Sequence, residues 1–559
     1  MHWAQLRCLA RFLWAALLAG SAMADSGVAS SAPKVQPPRL IVFIAIDGLP
    51  QRQILNYQDQ LAPDGFARLM QRGSWFANAH YGHSFTVTGA GHATMLTGAY
   101  PNRTGIIGNE WRDPSTGERV YCTGDNMAHY IGHPTSPFDG TSPKNLQVET
   151  VGDVLRRANH RSKVIAISGK DRGAILPGGK SGVAYIYMRS SGQFASSTYY
   201  MPKHPAWVDT FNAARPADRY FKTEWKALLP AAAYARSVPD NQIWFGPAGG
   251  SLPARFGALD DDAPGPNYYD SLLRGPFADA LTLDFARAAM AGEQLGQDDA
   301  PDILSISLSG HDYVNHAFSA ESRLSHDHVL QLDRLLQDFF RDLDLRVGKD
   351  QYAVALTADH GFMPSTELSA QQGLPTGRLD GAHTLAVVNQ GLEARFGPGK
   401  WVTGYSGASL LLDRTLLAKS GLGPDVIAAA ARELLLAQPG FAAAYTRQEL
   451  LAGSRQGAPF FEPMRNAWHP DVSGDVQYTL KPHWMFGIRS NGAVHGSAHA
   501  YDTHVPILLY GPRWIGKGRI DSPVEVINIA PTLAKLLGIA PPAASQAAPL
   551  PFVVAAHKP

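Results

Sequence analysis

The chain has 559 residues, of which 45% are hydrophobic and 17% charged, with a formal net charge of +1. The apolar content excludes a disordered chain, and the low charged fraction excludes a coiled coil. Near-neutral charge excludes a broad electrostatic field for nucleic acid or a membrane surface, so neither partner is expected. Residues 1–24 read as an export signal. Arg7 and Arg11 precede an apolar run from Phe12 to Ala19, and Ala22-Met23-Ala24 supplies small residues before Asp25. That run is shorter than the ~20 residues a membrane span needs. Periplasmic or secreted localisation without stable membrane insertion is therefore expected. Cleavage would remove Cys8 and leave Cys122 alone, so no intramolecular disulfide and no thiolate metal site can form. Any metal is left to His, Asp and Glu.

Residues 25–38, rich in Ser, Ala and Pro, read as a flexible leader. Leu40–Ile46 is a near-continuous apolar run that ends in Asp47-Gly48, the pattern of a strand buried on both faces of a parallel sheet. The same pattern recurs at Val164–Ser168, Ile303–Leu308, Tyr352–Thr357 and Val505–Tyr510. Helical periodicity lies between these runs, at Gly65–Arg72, Thr150–Asn159 and Phe277–Met290. It is clearest after Ser325, where Val329, Leu332, Leu336, Phe339, Phe340 and Leu343 share one face. Alternation of strand and helix predicts an α/β fold, an α/β/α layered core with a mostly parallel sheet. Two stretches, about 190–275 and 365–485, break the alternation and read as insertions capping the core. The second contains a helix from Asp425 to Leu436, with Asp425 as its cap. A last helix, Val526–Leu537, ends at Gly538 before a Pro/Ala tail.

Ligands of open α/β sheets bind beyond the carboxyl ends of the strands, and acidic residues and histidines collect there. Asp47 follows the first strand, Asp312 and His316 follow Ile303–Leu308, and Asp359-His360 follows Tyr352–Thr357. His495-Gly496 lies ahead of Val505. Asp312 and His316, at i and i+4, share one helical face and can grip one ion. Asp359 and His360 are adjacent, so an irregular strand end is needed for them to converge. Oxygen and nitrogen donors without sulfur suit Zn²⁺, with Mn²⁺ or other divalent ions open. Six donors exceed the three of one catalytic zinc and match two ions, which together can clamp the attacking and leaving oxygens of a phosphoryl displacement. A second constellation is Thr86-Val-Thr88-Gly-Ala-Gly-His92, ahead of helix-like Ala93–Thr97. A hydroxyl where a loop enters a helix sits at the positive end of the helix dipole. Read locally, Thr86 or Thr88 is a helix N-cap.

Asp47-Gly48, Thr88-Gly-Ala-Gly-His92 with Thr97-Gly98, and Pro101 to Gly105-Ile-Ile-Gly108-Asn109 together resemble the alkaline phosphatase superfamily. Threonine at the nucleophile position is similar to the nucleotide pyrophosphatase/phosphodiesterases and the phosphate-irrepressible, PafA-type alkaline phosphatases. Ser168-Gly-Lys170-Asp-Arg172, and His495-Gly496 followed by Tyr501-Asp-Thr-His504, resemble the latter group. The resemblance covers about residues 38–540. It implies an alkaline phosphatase-like catalytic domain at 39–545, with 546–559 as tail. It implies Thr88 as nucleophile, forming a phospho-threonine. It also implies two Zn²⁺, one held by Asp312, His316 and His495, the other by Asp47, Asp359 and His360 with the Thr88 oxygen. Asn109, Lys170 and Arg172 would bind the phosphate. His92 and His504 would support or pack; Thr86, His311, Asp502 and His499 are weaker site candidates.

With Lys170 and Arg172 on the phosphate side, a monoester dianion gains more than a diester monoanion does. A secreted alkaline phosphatase acting on small phosphate monoesters, as a monomer, is therefore the expectation. A phosphodiesterase or nucleotide pyrophosphatase with the same metals is the alternative; it calls for an apolar slot and no cationic pair. A sulfatase lacks its Cys/Ser-x-Pro-x-Arg context here. A binding protein that had lost the chemistry would have lost ligands, and all six are present. Export argues against a mutase.

Overall fold

The structure, a computed structural model, describes residues 36–245, 250–487 and 492–552. The export signal read at 1–24, most of the leader and the end of the tail lie outside the described residues. The central sheet comprises β1 (Leu40–Ile46), β2 (Ser74–Phe76), β3 (Val164–Ser168), β4 (Val183–Met188), β5 (Gln193–Ala195), β6 (Asp302–Leu308), β7 (Tyr352–Thr357), β8 (Ile507–Tyr510) and β9 (Gly518–Ile520). Their order is β9-β2-β8-β7-β1-β6-β3-β4-β5. All residues of β1, β6 and β7 are buried. A strand with no polar face needs cover on both sides, so these three take the middle of the sheet. From β7 through β1, β6 and β3 to β4 every pairing is parallel. The layered, mostly parallel core read from the sequence is the fold that forms.

The run at Val505–Tyr510 departs from expectation. It is a strand only over Ile507–Tyr510, and it lies antiparallel to β7 and β2. An apolar run reports burial, and it carries no information on direction.

Among the helices that flank or cap the sheet are α1 (Thr88–Thr97), α2 (Val151–Ala158), α3 (Asp171–Gly178), α4 (Pro276–Gly292), α5 (Gly310–Phe318), α6 (Arg323–Arg346) and α7 (Ile529–Leu537). Thr150 and Asp153 form a reciprocal capping box at the start of α2. Ser322 caps α6, whose predicted apolar face is wholly buried. Two helix starts shift from the reading above. The last helix begins with a 3₁₀ turn, Val526–Asn528, ahead of α7. The insertion helix runs Pro424–Leu436 and has no side-chain cap. Pro424 takes its first position, where the missing N–H costs nothing, and Asp425 falls in the first turn.

In the region 190–275, Trp225 Nε1, Leu228 N and Tyr234 Oη donate to Asp327 of α6 at 2.6, 2.7 and 2.5 Å. In the region 365–485 an antiparallel sheet orders Val402–Ser406, Ser409–Leu412, Val476–Leu480 and Phe441–Thr446. It shares an apolar cluster with Gly381–Phe396 and Pro424–Leu436. Residues 546–552, read as tail, dock on the core: Gln546 Oε1 accepts from Tyr100 N at 2.9 Å, and Leu550 is buried.

Helix α1 is buried on every side, and glycine makes that possible. A Cβ on Gly91 would lie 2.2 Å from the Asp359 carbonyl oxygen. Gly91→Ala should push α1 off the Asp359 segment, cost about 1–3 kcal/mol and lower the thermal midpoint by a few degrees. Gly404→Ala, whose Cβ meets open space, should leave the midpoint unchanged in the same melting experiment.

Candidate active site

The four adjacent parallel strands deliver their next residues to one place. Asp359 and His360 follow β7, Asp47 follows β1, and Lys170 and Arg172 follow β3. Asp312 and His316 stand on α5, which follows β6. Asp312, His316 and His495 form one group, and Asp47, Asp359 and His360 another. Within each group the donor atoms lie within 4.8 Å of one another. His316 Nε2 and His495 Nε2 stand 3.4 and 3.6 Å from Asp312 Oδ1. His360 Nε2 stands 3.5 Å from Asp47 Oδ1 and 3.6 Å from Asp359 Oδ2. Donors ~2.0–2.1 Å from a tetrahedral ion are ~3.4 Å apart, which is the observed spacing.

Each ring is locked with the same nitrogen inward. Nδ1–H of His316 donates to Ala493 O at 2.9 Å, that of His360 to Gly361 O at 2.8 Å, and that of His495 to Thr86 O at 2.8 Å. This hydrogen bond fixes the tautomer and leaves the Nε2 lone pair facing the carboxylates. Burial pushes His360 down and His495 well below the usual imidazole range, so both are neutral donors at neutral pH. Asp47 Oδ1, Asp312 Oδ1 and His360 Nε2 are buried with no hydrogen-bond partner, and Asp359 Oδ2 faces His92 Nδ1 at 3.2 Å. A buried unpaired acceptor costs about 1–3 kcal/mol, and more when charged. Donor type, spacing and these orphaned atoms all fit divalent ions.

The carboxylates are not equivalent. Burial, then repulsion from Asp359, holds Asp47 well above the ordinary carboxylate range. Burial would also raise Asp312, but His316 and the Lys170 ammonium outweigh it and hold that carboxyl well below the range. Lys170 Nζ sits 2.7 Å from Asp47 Oδ2 and 2.5 Å from Asp312 Oδ2, so it bridges the two groups. Arg172 Nη1 donates to Tyr121 Oη at 3.1 Å, and Tyr121 Oη donates to Asp171 Oδ1 at 2.6 Å. Arg172 Nε is buried without a partner.

Thr88 is the first residue of α1. The N-cap is Val87, and it makes no side-chain cap, so the local reading of a threonine cap fails. The Thr86 hydroxyl donates instead to Ser497 O at 2.8 Å. Thr88 is buried at this helix start. Gly89 N donates to Asn109 Oδ1 at 2.7 Å, which fixes the Asn109 amide at the start of the helix.

His92 donates from Nδ1 to Thr88 O at 2.9 Å and accepts at Nε2 from Ser307 Oγ at 2.8 Å. His504 stacks on His80 and reaches Ala77 O. Both hold structure, as expected. His311 bonds His328 and Gln53, and His499 donates to Leu480 O, so neither joins a donor group. Asp502 Oδ2 accepts from Gly496 N, Ser497 N and Ser497 Oγ at 3.1, 2.8 and 2.6 Å, fixing the turn that follows His495. Sequence reasoning missed Tyr121 and the carbonyls of Thr86 and Ala493. Tyr121 follows no motif, and a carbonyl carries no residue signature.

Two N/O donor groups, one wholly buried and one half-open at His316 and His495, set with a buried threonine and two cations, define a metal-dependent hydrolase site. The chain belongs to the type I phosphodiesterase / nucleotide pyrophosphatase family, whose sequence profile matches residues 41–502. Within it, the chain is 33% identical to alkaline phosphatase PafA of Elizabethkingia meningoseptica over 524 residues, 93% of this chain and 95% of that protein. It is 34% identical to alkaline phosphatase PhoV of Synechococcus elongatus, covering 95% and 96% of the two chains. The crystal structure of wild-type PafA superimposes with a TM-score of 0.85 at 32% identity, covering 92% of this chain and 99% of that one.

Ligand binding to the folded state alone raises stability, by about 2.7 kcal/mol per site at a hundredfold excess over Kd. Adding Zn²⁺ to chelator-stripped protein should therefore raise its thermal midpoint. Asp312→Ala and Asp359→Ala should each retain part of that rise, and the double variant none; calorimetry with metal analysis checks this.

Proposed function

We propose that this protein is an exported, two-zinc alkaline phosphatase that cleaves small phosphate monoesters through a phospho-threonine at Thr88. Phosphate monoester hydrolysis accords with the activity named for relatives that match it along nearly its whole length. The export signal read at residues 1–24 supports action in the periplasm or outside the cell. Zinc is favoured by donors that are all imidazole or carboxylate and spaced for a tetrahedron.

Ions bound at the two groups would supply positive charge to the attacking and leaving oxygens of the displacement. The rest falls to the chain's own side chains. Thr88 lies at the positive end of α1, where the helix dipole favours an oxyanion. Its oxygen attacks phosphorus in line, and the ester oxygen departs on the opposite side. Asn109, Lys170 and Arg172 hold the non-bridging oxygens, Arg172 with its planar fork and Lys170 as a point charge. Water then hydrolyses the phospho-threonine. The observation that carries the monoester reading is the pair of cations, Lys170 buried and Arg172 half-buried. Lys170 stands at the seam of the two donor groups, and Arg172 is held nearby by Tyr121.

Lys170→Ala with Arg172→Ala should lower kcat/KM for a monoester by about a hundredfold or more, with a much smaller loss for a matched diester. Equal losses on the two substrates would overturn the monoester reading. In acid-quenched turnover samples, Thr88→Ala should lack the phosphorylated peptide seen in the parent enzyme. A phosphopeptide that persists would point to another nucleophile.

A further inference from the structure

A pocket of about 210 Å³ opens beside His495. Its wall is mostly apolar: Phe85, Met363, Tyr478, Trp484, Met485 and Phe486. Tyr478 and Phe486 pack edge to face at 6.0 Å and continue into Tyr405 and Phe441, so the wall is part of a rigid aromatic cluster. No lysine or arginine lines it among the described residues. Of its polar lining groups, Asp502 holds the turn at Gly496 and Ser497 through Oδ2, while its Oδ1 is buried without a partner. An apolar cavity of ~150 Å³ is enough to take a benzene ring.

The position of the pocket decides its occupant. His495 belongs to the donor group with Asp312 and His316. On the phosphatase reading given above, on which this inference rests, the leaving oxygen departs toward that group, opposite Thr88. The substituent on that oxygen therefore projects past His495. Asn109 lines a different pocket, with Glu110, Arg112 and Arg119, across Phe85 from this one. The non-bridging oxygens and the leaving group thus face different surroundings, one charged and one apolar. We propose that the pocket bounded by Phe85, Tyr478, Trp484 and Phe486 is a leaving-group subsite. It selects phosphate monoesters whose alcohol carries an uncharged apolar group about the size of one aromatic ring. Polyphosphate or carboxylate leaving groups would find no lysine or arginine among the described residues that line it.

The test compares 2-phenylethyl phosphate with ethyl phosphate, two alkyl monoesters of similar intrinsic reactivity. Burial of a ring should favour the first in kcat/KM by about tenfold or more. Ala408→Phe fills the pocket without removing core atoms, since Ala408 lines it and is half-buried. This variant should bring the ratio to near one and leave ethyl phosphate turnover within about twofold of the parent. Phe486→Ala should lower the ratio in the same direction. Equal kcat/KM for the two esters in the parent, or a ratio unmoved by Ala408→Phe, would overturn the subsite. In either case ethyl phosphate is still turned over, so the phosphatase reading stands. Failure to hydrolyse either ester would overturn that reading instead.

Discussion

Three carboxylates sealed from water next to one another are the constraint from which the rest follows. Asp47, Asp312 and Asp359 are all buried, and Lys170 is the permanently charged side chain that contacts them among the described residues. Ionised groups in such a place are costly unless paired. Hydrogen bonds relieve that cost only in part: Gly48 N donates to Asp359 Oδ1 and Lys170 Nζ to Asp312 Oδ2, while Asp47 Oδ1 and Asp312 Oδ1 are left without a donor. A site of this kind is built for bound cations, and it gains its strength from the same dryness that makes it expensive.

The scaffold meets that demand with main-chain atoms. Three histidines would be free to rotate, flip or protonate, yet each is held by a backbone carbonyl. The parallel strands set the spacing of the carboxylates, because β7, β1 and β6 lie side by side in register. Gly48 takes the left-handed conformation (φ +70°) directly after Asp47. Its N–H donates to Asp359 Oδ1 at 3.0 Å, and a side chain there would press on Asp312. One glycine thus lets three ligand segments converge.

Much of this was legible in the sequence, for physical reasons. Strands buried on both faces must be apolar throughout, so Leu40–Ile46, Val164–Ser168 and Tyr352–Thr357 are read with their bounds intact. Asp312 and His316 announce a shared helical face by spacing alone. Other features were not legible. Strand direction has no hydropathy signal, and β8 runs against expectation. Thr88 looked locally like a cap because a hydroxyl before a helix usually is one, whereas here the helix begins at the hydroxyl itself. The apolar pocket could not be read either. Phe85 and Phe486 are far apart in the chain, and only the insertion's fold brings them together.

The lacing of Thr86 to His495 and Ser497 couples two parts of the centre. The carbonyl of Thr86 aims the His495 ring, and its hydroxyl ties down Ser497. Thr86 stands two residues before Thr88, so the main chain that carries the nucleophile also aims a ligand 409 positions further along the chain. A shift in that short stretch would move the attacking oxygen and one donor group together.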